Sequence, residues 1–80
     1  MTTQKAVALR ISSLLIERDM SFNSLCKKIA INESTVRSIM NERYSSIKFD
    51  TLIKIADGFD MTIQEFLNNK LFIRTNLDVE

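Results

Sequence analysis

One glycine and no proline in eighty residues constrain this chain more than any motif within it. Tight turns and sheet corners draw on glycine for left-handed backbone and on proline for a fixed φ. Their scarcity favours helices over a many-stranded sandwich or barrel and predicts an all-α core. Eighty residues hold one small domain, and 45% hydrophobic with 26% charged residues is the balance of a folded chain rather than a disordered one.

The chemistry available to the chain is narrow. Histidine is absent and Cys26 is the only cysteine, which excludes a disulfide framework, a Cys/His zinc cluster, a Cys-His pair and a serine triad. The acidic residues fall on predicted polar helix faces or in turns, and so small a domain has little space for a water-excluding pocket. The expectation is a binding protein without cofactor or metal, not an enzyme. Cys26 lies in an apolar helix stripe and reads as a small core hydrophobe. Lys5, Arg10, Glu17 and Arg18 interrupt the N-terminal stretch, so it does not read as a secretion signal. No segment approaches the roughly 20 apolar residues that cross a bilayer, and a cytoplasmic protein with no membrane partner is expected.

The formal charge of +1 gives no support for a polyanionic partner, but its distribution does. Residues 1–49 hold eight Lys/Arg against four acids, a net of +4, while residues 50–80 hold three against six, a net of −3. Such polarity suits a chain that faces an anionic polymer with its N-terminal half.

Along the chain, Val7, Ile11 and Leu14 follow the spacing of one helical face and predict a first helix over 4–18. Ser21 is a good N-cap for a second helix over 22–29, with Phe22, Leu25, Cys26 and Ile29 on its apolar side. A connection of about three residues leads to Asn32, which can cap a third helix carrying Val36, Ile39 and Met40 as its stripe. Residues 42–47 read as a loop. Phe49, Leu52, Ile53, Ile55 and Ala56 predict a fourth helix ending near Gly58 to Asp60, for which Ser46 is the best cap. Thr62 and Glu65 form a capping box opening a fifth helix of about two turns. From Leu71 the period changes to two, with Leu71, Ile73, Thr75, Leu77 and Val79 on one side and only Phe72 breaking the pattern. That alternation predicts an extended or strand-like tail over 70–80, beyond a helical domain over 1–69.

The second helix, its short turn and the third helix form the informative unit. In a helix-turn-helix the first member braces across the phosphate backbone and the second enters the major groove, so the latter must offer hydrogen-bonding side chains on one face. At about 100° per residue, Glu33, Arg37, Asn41, Ser34 and Ser38 share an arc of about 140°, opposite Val36, Ile39 and Met40.

From MSFNSLCKKIAINESTVRSIMNE into FDTLIKIADGFDMTIQEFL, over roughly residues 10–69, the sequence resembles the phage-repressor type of helix-turn-helix regulator, the Cro-like or XRE group. Cys26 after Leu25 matches the small residue of the bracing helix, and Asn32 the cap of the recognition helix. Val36 and Ile39 match its buried aliphatic pair. Thr51, Leu52, Ile55 and Ala56 match the helix that follows. The resemblance implies a five-helix repressor-like domain that binds double-stranded DNA as a transcriptional regulator. It places Glu33, Ser34, Arg37 and Ser38 at base edges, Arg37 foremost because a guanidinium can pair with both acceptors of guanine. It places Asn41, Arg43, Tyr44, Ser45, Ser46 and Lys48 at the DNA backbone. For Glu33 and Arg37 an i, i+4 ion pair on a solvated face stands as the alternative, for Ser34 and Ser38 a plain solvent-facing surface, and for the remaining lysines and arginines a solvated face is the default.

This chain departs from the family where Ala30, Glu42 and Asp60 occupy positions usually held by Gly. Left-handed backbone at any of them costs a non-Gly residue about 1 kcal/mol. Phe22 likewise replaces a phosphate-binding Gln, a role that Asn23 or the helix N-terminus itself would then take. No separate effector domain or small-molecule effector is expected. A homodimer is expected, with the tails paired as antiparallel strands, against the alternatives of an extended tail packed back on its own domain or a frayed terminus. The rival to DNA binding is a protein-interaction module on the same scaffold, for which the low net charge, Glu33, Glu42 and Phe22 argue.

Overall fold

The structure is a computed structural model that describes residues 1–44 and 46–79. Five α-helices follow one another: α1 over Thr3–Glu17, α2 over Phe22–Ile29, α3 over Glu33–Met40, α4 over Phe49–Gly58 and α5 over Ile63–Leu67. The sequence places these elements for reasons visible at their ends. Oxygens of Thr2, Ser21, Asn32 and Thr62 accept from the first-turn N–H groups of Lys5, Ser24, Ser34 and Glu65, so four of the five helices start on a side-chain cap. Helix α4 differs. Lys48 is its N-cap and provides no side-chain bond, so the expected cap at Ser46 is not used.

At α5 the capping box is complete, with the Glu65 carboxylate accepting from the Thr62 N–H at 2.9 Å. That backbone bond, with the Thr62 side chain behind it, holds the Glu65 carboxyl below its usual range. Because the folded pKa is depressed, the contribution is present at neutral pH and is lost as pH falls through the lowered value.

The apolar faces converge on one core. Ile11, Leu14, Leu25, Val36, Ile39, Ile55, Phe59 and Phe66 are buried, with α1 packed on α3, α2 on α4, and α4 on α5. Gly58 sits where α4 passes α2 most closely. A Cβ there would stand 2.3 Å from Ile29 Cγ2 and 2.8 Å from Leu25 Cδ1, so the chain's single glycine serves close packing.

The turns therefore make their left-handed residues without glycine. Asp19, Ala30, Glu42 and Asp60 all have φ between 50° and 56°. After α1, α3 and α4 the same motif recurs: Met20, Arg43 and Met61 donate their N–H to Leu15, Ser38 and Ala56, five residues back. The Gly-dependent turn geometry is thus kept at Ala30, Glu42 and Asp60, and each residue bears its conformational cost. Ala30→Gly is expected to stabilise the domain by about 0.5–1 kcal/mol, since relief of left-handed strain outweighs the added freedom of the unfolded chain. Thermal unfolding should show a rise of about 2–8 °C, and a fall would contradict it.

Two expectations are corrected. The tail is not a strand: residues Lys70–Phe72 and Arg74–Asn76 form two 3-10 turns. Its backbone bonds are made within the tail and to Met1: Asn69 Oδ1 accepts from Leu71 N–H, Asn76 Nδ2 donates to Lys70 O, the Arg74 guanidinium donates to Leu77 O and Val79 O, and Asp78 N–H donates to Met1 O at 2.7 Å. Phe72, which broke the alternation, packs on the core with its ring centroid 6.0 Å from that of Phe66. The tail folds back on its own domain, and among the described residues its backbone groups form no antiparallel ladder with a second chain's tail.

The second correction concerns Arg10, expected on a solvated face but 8% exposed. Its Nε donates to Phe66 O at 2.8 Å and its Nη2 to Glu65 O at 3.2 Å, while the guanidinium lies over the Phe66 ring. Arg18 behaves similarly at its tip, donating from Nη1 to Phe59 O. Arg10 within α1 and Arg18 at its C-cap thus satisfy carbonyls near the ends of later helices.

Candidate nucleic-acid interface

Helix α3 buries Val36 and Ile39 and turns Glu33, Ser34 and Arg37 outward, as the wheel predicts. Ser38 is half-buried at the margin of this face. Asn32 Oδ1 accepts from both the N–H and the hydroxyl of Ser34, at 2.9 and 2.8 Å, which fixes the helix start and orients that hydroxyl. Arg37 Nη2 donates to Glu33 Oε1 at 2.7 Å, so the i, i+4 ion pair forms on this surface. The same guanidinium lies over the Phe22 ring, 4.8 Å from its centroid. The spacing of Glu33 and Arg37 signals the ion pair; nothing in the sequence signals the ring contact, which joins residues 15 positions apart across the turn.

Helix α2 stands beside α3 with its N-terminus capped by Ser21, and Asn23 is exposed in its first turn. Asn41 is the exposed C-cap of α3, its N–H donating to Arg37 O. Beyond it Arg43, Tyr44, Ser46 and Lys48 are exposed, and Ser45 lies outside the described residues. A groove of about 320 Å³ runs between α3 and this loop, lined by Thr35, Ile39, Tyr44, Ser46, Ile47, Lys48 and Thr51. It brings Tyr44, Ser46 and Lys48 alongside α3. Glu42 is exposed at the left-handed turn.

Cys26 is half-buried, and its thiol is pushed up first by that burial and then by the nearby Glu33 carboxylate, against the opposing Arg37 charge. A thiol so placed stays protonated at neutral pH and packs with the apolar stripe, as its position in α2 predicts. No group of His, Cys, Asp and Glu that could hold a metal occurs among the described residues. No helix among them is long and apolar enough to cross a membrane.

Two short helices joined by a left-handed turn, the first packed on α4 and the second on α1, the second also with a polar face open to solvent, define a helix-turn-helix domain. A family model described as the Cro/C1-type HTH DNA-binding domain matches residues 10–70, and the chain belongs to that family. No match was found among curated proteins or among solved structures. Double-stranded DNA is accordingly the partner this domain serves.

Proposed function

We propose that the chain is a cytoplasmic, sequence-specific transcriptional regulator that represses by occupying its operator. The observation that carries this reading is the joint exposure of Glu33, Ser34 and Arg37 on one face of α3, next to the groove containing Tyr44, Ser46 and Lys48. In this reading Glu33, Ser34, Arg37 and Ser38 address base edges. Asn23, Asn41, Arg43, Tyr44, Ser45, Ser46 and Lys48 hold the phosphate backbone on either side. The role is binding, without catalysis or cofactor.

We further propose that two copies act together. One recognition helix reads only a few base pairs, and a two-fold pair addresses half-sites about 34 Å apart or a multiple of that. The exposed apolar side chains of Ile73 and Val79 support a role for the tail in this pairing through side-chain contact rather than a shared ladder. Mass measurement of the full chain and of a chain lacking residues 71–80 tests it: a dimer that becomes a monomer is expected, and a truncated chain that stays dimeric overturns the tail's part.

The test of the main reading is selection from a random duplex pool, followed by titration against salt. Each phosphate neutralised should steepen the log–log salt dependence by about 0.9. No enrichment of any sequence, or binding without a salt slope, overturns the reading. Within the selected site, Arg37→Ala should cost about 1–3 kcal/mol and relax preference at one base pair. Lys48→Ala should weaken all duplexes alike and flatten the slope. Equal losses on selected and random duplexes for Arg37→Ala would remove it from the base edges.

A further inference from the structure

We propose that Phe22 is a positioning residue that sets the direction from which Arg37 reads a base. The inference rests on the DNA-binding reading above and extends it to a residue outside the recognition helix.

Phe22 is the first residue of α2, held by the Ser21 cap, and its ring is half-buried against the core. The platform is therefore fixed by packing. The Arg37 guanidinium lies over that ring at 4.8 Å, while Nη2 donates to Glu33 Oε1 at 2.7 Å. These two contacts use different parts of the group. The ring takes a face, which makes no hydrogen bonds, and Glu33 takes one hydrogen at the planar edge. A guanine pairs with a guanidinium in its plane, so a guanidinium held by its face keeps edge donors for the base.

The energetic sense is preorganisation. The Arg37 side chain is 59% exposed, and a long exposed side chain gives up rotamer freedom when it docks. Stacking on Phe22 restricts that freedom beforehand and fixes the plane in which donors point. A glutamine at position 22 would offer no such surface. The departure at this position thus exchanges a phosphate-binding side chain for a support under the reading arginine.

Phe22→Leu keeps an apolar side chain against the core and removes the π face; Phe22→Tyr keeps the ring. Preference is read as the ratio of Kd values for the selected duplex and for its variants at the base pair that Arg37→Ala relaxes. Phe22→Leu should lower that ratio about two- to five-fold, the scale of an exposed cation–π contact, and Phe22→Tyr should restore it. In an Arg37→Ala background Phe22→Leu should change nothing further at that pair. In the absence of DNA, the Arg37 side-chain protons should show an upfield ring-current shift by NMR that Phe22→Leu abolishes.

A Phe22→Leu variant that loses affinity equally on every duplex, or loses the same ratio without Arg37, would overturn the proposal. So would a wild-type protein lacking the ring-current shift. A wild-type protein that enriches no duplex overturns the DNA reading and this inference with it. Failure of the support alone is recognised by a selected duplex whose preferences Phe22→Leu leaves untouched.

Discussion

Phe66→Ala is expected to remove about 3–5 kcal/mol of stability, the usual range for emptying a fully buried aromatic site. Phe66 has no exposed surface, and its ring contacts both the Arg10 guanidinium and the Phe72 ring. Truncation therefore opens a cavity, removes the surface under a buried cation, and frees the tail from the core. An 80-residue domain has a total stability of roughly 4–12 kcal/mol, so this loss takes about a quarter of it at least and reaches all of it at the low end. Thermal unfolding should fall by at least about 12 °C, with DNA binding lost over the same temperature range because α3 takes its position from the shared core. A fall of less than about 4 °C would mean that the site collapses around the gap and that α5 is not the keystone its burial implies.

Helices α2 and α3 were fully legible because their signals are local. Ser21 and Asn32 are caps by chemistry, the apolar spacing lies within two turns, and the observed spans begin at Phe22 and Glu33 directly after them. The outward set of Glu33, Ser34 and Arg37 followed from the same angular arithmetic, as did burial of Val36 and Ile39. What the sequence could not show was tertiary. Residues 71–79 satisfied an alternating template, yet alternation specifies a strand only where another strand can pair with it. Lacking one, the backbone closes local turns, and Phe72, the residue out of register, carries the packing.

Arg10 illustrates the opposite failure, a signal overridden by residue type. It lies three residues after Val7 and four before Leu14, within the stripe that faces the core, but charged side chains are so rarely buried that position yields to chemistry. The contact of Phe22 with Arg37 had no local trace at all. The sequence showed only that Phe22 stands where a polar residue is usual, and the partner of its ring lies across the turn in another helix.

Arg10→Met should cost about 2–3 kcal/mol, although methionine retains much of the arginine stem's apolar length. Helix α5 has only five residues, too few to pair all its carbonyls internally, and its end lies against the core. The Glu65 carbonyl also accepts from the Asn68 N–H at 3.2 Å, so it keeps a partner when the guanidinium is removed. The Phe66 carbonyl is the buried acceptor for Arg10 Nε, and its loss of a donor dominates the expected cost. Arg10→Lys should be intermediate, because one ammonium cannot reproduce a planar fork that donates to two carbonyls while stacking on a ring. Urea unfolding should show the midpoints in the order wild type, Arg10→Lys, Arg10→Met, with the slope unchanged because the same surface is exposed in each case. Well below the unfolding temperature, duplex affinity should stay within about two-fold of wild type, since Arg10 is enclosed between α1 and α5 and outside the face of α3. Equal midpoints for Arg10→Met and wild type would show that the Phe66 carbonyl finds water or another donor, and that the buried arginine is dispensable to the fold.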